Sequence, residues 1–348
     1  MTSSIPPSGP AVPTLADVAR HANVSTATVS RCLNSPDQVV LRTRERVMKA
    51  VQELGYAPNF NARALAAKRT NTIGAVIPTM ENAIFARGIQ AFQEELGRHG
   101  FTLLVASSSY QEALEEEQIR TLTARGADAL LLIGHHRSKR VYDFLKTRSV
   151  PALVAWAYAD GAEQRSIGFD NVSAMADLAR LVIGQGHRRL GFISAETASN
   201  DRARDRVMGV RNVLAEAGLD QSALALIETQ YGISTGGEAF REMMALSPRP
   251  TAVLCGNDVL AVGALRAAKE MGLSVPGDVS ITGFDDIELA MLAEPALTTV
   301  HVPHREMGRR AASMLVQMVN GDTLPDSTRL DTDIRLRQSL GPPPSDAA

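Results

Sequence analysis

Residues 17–34 read DVARHANVSTATVSRCLN, and the way this stretch folds decides what the head of the chain can do. Leu15, Val18, Ala19 and Ala22 recur at helical spacing, and Thr14 with Asp17 three residues later gives a capping-box start. After the tight turn HANVS (21–25) the pattern resumes: Val29, Cys32 and Leu33 share one face, while Ala27, Ser30, Arg31 and Asn34 line the other. A third helix is predicted from Leu41 to Leu54, burying Val47, Val51 and Leu54 and closed by Gly55 and Pro58. Val40, just before it, has no side chain that caps, so this helix is expected to fray at its start or to begin at Thr43.

Two short helices across a tight turn, followed by a third, make the helix-turn-helix plan, in which the second helix enters the major groove of DNA. Ser25, Thr26, Thr28 and Ser30 offer short hydroxyls to phosphates or base edges. Spacing alone leaves a plain three-helix scaffold equally open. Charge adds a little. Residues 1–70 carry nine Lys/Arg and four acids, whereas the remaining residues carry 27 and 34. A basic head on an acidic body suits a polyanion partner for the head alone.

The length, 348 residues, accommodates two or three globular units. No apolar run is long enough to cross a bilayer, so no membrane partner is expected. The start, MTSSIPPSGPAVP, lacks the basic and apolar segments of a secretion signal and is expected to be a disordered leader over residues 1–13. Cys32 and Cys255 give neither a disulfide framework nor metal-ligand spacing. The expectation is a cytoplasmic protein with no metal and no other cofactor.

From residue 72 the text changes. Strand-like runs at 72–78, 101–107, 127–134, 151–156, 190–194, 251–256 and 279–284 alternate with amphipathic helical segments, which implies βαβ units and mainly parallel sheets. About 270 residues is large for one sheet and comfortable for two lobes. The expected organisation is a helix-turn-helix domain (14–58), a helical hinge and linker (59–71), a two-lobed body (72–337) and a disordered tail (338–348). Ligands of open parallel sheets bind beyond the carboxyl ends of the strands. Asn82, Asp170, Asn257, Asp258, Asp285 and Asp286 stand at such places.

The segments DVARHANVSTATVSRCLN, RTRERVMKAVQELGYAPN and ARALAAKRTNTIGAVIP together closely resemble the lactose-repressor (LacI/GalR) family of bacterial transcription regulators. The resemblance runs from about Thr14 to Arg337. It implies an all-α helix-turn-helix head plus an α/β body of two doubly wound parallel-sheet lobes, of periplasmic-binding-protein type. Carried over by position, Thr26 and Ala27 match the base-reading pair, and Ser25, Thr28, Ser30, Arg31 and Asn34 match positions that contact phosphates or bases. Arg31 suits a guanine edge bidentately. Asn59, Ala62, Arg63 and Leu65 match the family's hinge helix, with Leu65 as the minor-groove wedge. The implied partners are double-stranded operator DNA, a small sugar or sugar-acid effector, and a second copy of the chain in a homodimer.

In the body the resemblance gives Asn257, Asp285 and Arg206 to the effector, and Phe85 to an apolar position that packs on it. An amide donates and accepts, and a carboxylate accepts from two vicinal hydroxyls, so this chemistry suits a polyol. For Asn257 a helix N-cap is the competing role; for Asp286 a cap or solvated loop is the better one. Arg202 and Arg204 flank Arg206, and together they favour an anionic effector, although Asp201 and Asp205 offer them partners nearer to hand. Similarity to gluconate-type repressors points the same way. No catalytic residues are expected: His135 and His136, read as exposed loop residues, form no nucleophile–base constellation. The competing class is a solute-binding protein for sugar uptake without a regulatory role.

Overall fold

The computed structural model describes residues 12–57, 69–81 and 83–345. The chain divides into two compact units, Met1–Thr70 and Asn71–Ala348.

In the first unit, α1 (Leu15–His21) begins with the expected capping box. The Asp17 carboxylate accepts from the Thr14 main chain at 2.9 Å and from its hydroxyl at 2.6 Å, and Thr14 Oγ1 accepts from the Asp17 N–H. Thr14→Ala removes one cap and is expected to weaken α1 by about 1 kcal/mol, seen as roughly fivefold faster amide exchange across α1. Asn23 takes the left-handed conformation the turn needs, with φ of 50°, which Asn tolerates better than most residues. Helices α2 (Thr26–Asn34) and α3 (Leu41–Leu54) then close a core of Val18, Ala19, Ala22, Val29, Cys32, Val47 and Ala50. Leu33, Val51 and Leu54 pack on it half-buried. α3 starts at Leu41 with no side-chain cap on Val40. The missing cap is observed; the shift to Thr43 is not.

The second unit holds two six-stranded sheets. The strands are β1 (Thr72–Ile77), β2 (Thr102–Ser107), β3 (Ala129–Ile133), β4 (Ala152–Ala155), β5 (Ser166–Gly168), β6 (Leu190–Ser194), β7 (Ala225–Glu228), β8 (Ala252–Cys255), β9 (Ser280–Asp285), β10 (Thr298–His301), β11 (Ser327–Arg329) and β12 (Asp333–Arg335). The first lobe has the order β11-β5-β4-β3-β1-β2 and the second β12-β10-β9-β8-β6-β7. Every recorded pairing is parallel except β10 with β12. The seven expected strands are present. The five others, β5, β7, β10, β11 and β12, are three or four residues long.

The helices are α4 (Ala83–Arg98), α5 (Glu112–Ala124), α6 (Lys139–Thr147), α7 (Asn171–Gly184), α8 (Asp201–Glu216), α9 (Ile233–Met244), α10 (Asp258–Glu270), α11 (Glu288–Leu292) and α12 (His304–Asn320). The chain passes between the lobes three times: from β5 into α7, from β10 into α12, and from β11 to β12. On the first lobe α4 and α12 approach so closely that a Cβ on Gly308 would meet the Gly88 carbonyl, and a Cβ on Gly88 would lie 2.5 Å from the Trp156 ring.

The tail departs from expectation. Ser339 is fully buried and Leu340 is buried. The Ser339 hydroxyl accepts from the Thr298 N–H at 2.9 Å and donates to the Ile281 carbonyl, and His187 Nε2 meets the Gly341 carbonyl at 2.9 Å. Gln338–Gly341 is therefore stitched onto the second lobe. Its proline-rich text continues after an apolar anchor, Leu340, that a composition argument passes over.

Candidate functional site

In the head, Ser25, Thr26, Ala27, Arg31 and Asn34 are exposed, and Thr28 and Ser30 are half-buried. Ser25 is the N-cap of α2, its hydroxyl accepting from the Thr28 N–H at 3.1 Å and lying 2.8 Å from Thr28 Oγ1. Asn34 donates to Ser30 Oγ at 3.2 Å. The outward face of α2 is thus a strip of small groups with one cation, while Val29 and Cys32 anchor the opposite side. Asn59, Ala62, Arg63 and Leu65 lie outside the described residues, as does Asn82.

In the body, a groove of about 1000 Å³ opens between the lobes. Tyr110 and Ser107 line it from the first lobe, and Tyr231, Asn200 and Glu196 from the second. The rings of Tyr110 and Tyr231 lie with centroids 5.8 Å apart, tilted 53° to one another. Burial raises the pKa of both phenols, and the charges of Arg202, Arg206 and Asp285 act on each. Asn200 caps the helix that carries Arg206, and Val259, two residues after Asn257, lines the groove as well.

Asp285 ends β9 with φ of 102°, an uncommon conformation for any residue but glycine. It is 1 % exposed, and neither carboxylate oxygen has a hydrogen-bond partner. Burial pushes the Asp285 carboxyl up to about 6, against the pull of Arg206 and Arg202. Arg206 lies on α8 and is nearly spent. Its Nε donates to Asn171 Oδ1 at 2.9 Å, its Nη1 to the Gly256 carbonyl at 2.5 Å, and its guanidinium stacks 3.8 Å over Phe284. Its Nη2 stands 4.0 Å from Asp285 Oδ1. Asn257 caps α10 by accepting from the Leu260 N–H at 2.9 Å, while its buried Nδ2 has no partner. Capping leaves the amide donor free.

Four expected residues play other parts. Asp170 caps α7, accepting from Ser173 N at 3.0 Å and Ser173 Oγ at 2.5 Å. Phe85 is buried edge-on against Trp156, with centroids 5.4 Å apart. Arg202 donates to Asp201 at 3.0 Å, and Asp201 in turn accepts from the His135 N–H across the cleft. Arg204 is exposed, because residues two apart on a helix lie on roughly opposite sides. The three arginines therefore do not converge. Asp286 holds an ion pair with Arg337 at 2.6 Å and a hydrogen bond with His301 Nδ1 at 2.9 Å, and His135 is half-buried rather than exposed.

Three residues of the cluster escape the sequence reading. Asn171 donates to the Trp156 carbonyl at 3.2 Å, and Trp156 Nε1 donates to His304 Nδ1 at 3.1 Å. His304 Nε2 points to within 3.7 Å of Asp285 Oδ1. No local pattern marks these residues, since 148 positions separate Trp156 from His304. Among the described residues no group of His, Cys, Asp and Glu is placed to hold a metal, and no helix is long and apolar enough to cross a membrane.

The comparisons with known proteins agree with this architecture. Residues 14–59 match the model for bacterial regulatory proteins of the lacI family, and residues 179–340 match that for a periplasmic binding protein-like domain. The chain is 33% identical over 330 residues to the HTH-type transcriptional repressor CytR of Escherichia coli K12, covering 94% of this chain and 96% of that protein. The lac repressor dimer bound to operator and the anti-inducer ONPF superposes with a TM-score of 0.84 at 27% identity, covering 94% and 98% of the two chains. The complex of the transcriptional regulator CelR with cellobiose gives 0.69 at 30% identity, covering 94% and 99%. These relatives are regulators of transcription, not enzymes. A helix-turn-helix head, two parallel-sheet lobes around a polar cleft and relatedness along nearly the whole chain lead to one assignment: the protein belongs to the lacI family of bacterial regulatory proteins.

Proposed function

We propose that this protein is a dimeric repressor that binds operator DNA through the exposed face of α2, and that a small polyhydroxy effector held between the lobes controls its affinity. The observation that carries the effector reading is Asp285, a buried carboxylate with both oxygens unpartnered. Buried polar groups are left unsatisfied only rarely, and two adjacent hydroxyls supply the donors this one lacks. The unpartnered Asn257 Nδ2 adds a donor from the same lobe. CelR, a related regulator, was solved with the sugar cellobiose.

A neutral polyol fits better than a sugar acid. Arg202 is committed to Asp201, Arg204 lies exposed, and an anion would compete with Asp285 for the one unspent nitrogen of Arg206. An effector that binds one arrangement of the lobes better than another shifts their population, and operator affinity follows by linkage.

Ser25, Thr26, Ala27, Thr28, Ser30, Arg31 and Asn34 form the proposed reading face, with Arg31 the group suited to a guanine edge. DNA selected from a random library by the full chain provides the operator. Arg31→Ala is expected to weaken binding to the selected site by about 10- to 100-fold, the worth of one bidentate base contact, while binding to unselected DNA falls far less. Failure to select any sequence removes the repressor reading and favours a solute-binding protein. Adding aldoses and aldonates separately to the DNA complex tests the effector class. A response to aldonates alone overturns the neutral reading.

A further inference from the structure

Five buried side chains from both lobes and two of the crossing points form a nearly closed ring of polar contacts. Trp156, at the end of β4, donates to His304 at the start of α12. Asn171, at the start of α7, donates to the Trp156 carbonyl and accepts from Arg206. Each of these links is a hydrogen bond. The ring is open on both sides of Asp285: 3.7 Å to His304 Nε2 and 4.0 Å to Arg206 Nη2. Both distances exceed a hydrogen bond.

The direction of the Trp156 bond fixes the state of the imidazole. An indole nitrogen only donates, so His304 Nδ1 accepts, and the single proton of the neutral ring sits on Nε2. Burial pushes the His304 imidazole down to about 3, so the ring carries one proton at neutral pH. The main-chain carbonyl of Asp285 attracts that proton but does not meet hydrogen-bond geometry, and Nε2 is left without a partner. A buried donor therefore faces a buried acceptor across a gap neither closes, and each unsatisfied group costs roughly 1–3 kcal/mol. The backbone at both ends is unusual as well. Trp156 has φ of 61° and Asp285 of 102°, conformations that bulky residues keep only where the surroundings enforce them and that cluster at binding sites.

We infer that His304 is a specificity-determining residue of the effector cleft: with Asp285 it selects one ligand hydroxyl that accepts from Nε2–H and donates to the carboxylate, and Trp156 is the positioning residue that holds the donor tautomer. The inference rests on the polyol reading of the same cleft. A hydroxyl fills both roles at once. An ether oxygen cannot donate, a carboxylate brings like charge to Asp285, and a methylene leaves both partners unsatisfied. His304 opens α12 of the first lobe and Asp285 ends β9 of the second, so the bridging hydroxyl also ties the lobes together.

A water molecule has the same donor and acceptor complement, so the test separates a ligand hydroxyl from a structural water. Thermal shift of the full chain against aldopentoses, aldohexoses, alditols and aldonates chooses the probe, and calorimetric titration then compares that sugar with each of its monodeoxy forms. For the wild type, one monodeoxy form is expected to bind roughly 10- to 100-fold more weakly, the range of a buried hydrogen-bonded pair. His304→Phe is expected to bind the parent sugar that much more weakly and no longer to tell it from that monodeoxy form. His304→Gln, which keeps an N–H donor, stays within a few fold of wild type. Equal discrimination by wild type and His304→Phe means that the gap holds a structural water, and overturns the inference. Nitrogen-15 NMR of the ligand-free full chain at pH 6 is expected to show a neutral His304 protonated on Nε2, and loss of that single tautomer in Trp156→Phe. A proton on Nδ1 in the wild type overturns the role of Trp156. If no sugar stabilises the chain, the polyol reading falls and the selectivity with it. If sugars bind but His304→Phe is indifferent, only the role of His304 falls.

Discussion

Asp285→Asn is expected to stabilise the protein at pH 8 and to abolish its response to the effector. Burial raises the Asp285 pKa from 3.8 in its ordinary state to about 6 in the folded chain. Between those values the folded protein holds a proton that the unfolded chain has released, so stability falls as pH rises through this window. The contribution is intact below about pH 4 and fully lost above about pH 6. A difference of two pKa units corresponds to about 3 kcal/mol. The variant should therefore melt several degrees above wild type at pH 8 and close to it at pH 4. Scanning calorimetry at the two pH values decides this, and a difference independent of pH would remove Asp285 as its source. An asparagine cannot accept from two hydroxyls on both oxygens, which is why the same change should silence the effector. Stability given up at a binding site in this way is a common trade.

Gly308→Val should change stability by about as much in the opposite direction, and for a different reason. The first lobe depends on the close approach of α4 and α12, and a Cβ at 308 would meet the main chain of Gly88, carbonyl and Cα included. A helix backbone cannot rotate out of the way as a side chain can. Overpacking of a tight core typically costs 1–3 kcal/mol, and a backbone obstacle places this change near about 3 kcal/mol. The urea midpoint should drop with an unchanged slope, the mark of lost stability without a change in the unfolded state. An unchanged midpoint would mean that the helices part at little cost.

The head was almost fully legible in the sequence because its signals are local. A capping box, a tight turn and three helical apolar stripes each occupy a few adjacent residues. The central strands were legible for the same reason, as continuous apolar runs. β10 was not: Thr298 and Thr299 are fully buried yet polar, so hydropathy misses them, and β5, β11 and β12 are too short to show a period. In the body, sequence named Asn257, Asp285 and Arg206 as effector candidates from their places at or just after strand ends or on a recognisable helix, and Arg206 and Asp285 stand 4.0 Å apart. It misplaced Arg204 by ignoring the turn of α8, and it took Asp170 for a ligand group where the cap of α7 uses it. Trp156, Asn171 and His304 were invisible because their proximity is made by the crossings between lobes and by nothing within a window of sequence.

Those crossings also govern how the body is completed as the chain is made. The first lobe draws on residues before α7 and again on α12 and β11, while the second takes residues 171–301 and then β12 and Gln338–Gly341. The first sheet lacks β11 until Arg329 has been made and the second lacks β12 until Arg335, so neither lobe can be excised as one continuous piece of gene. The closing stretch acts as a seam. A nascent chain halted before it presents two incomplete sheets with open edges, the form most exposed to mispairing.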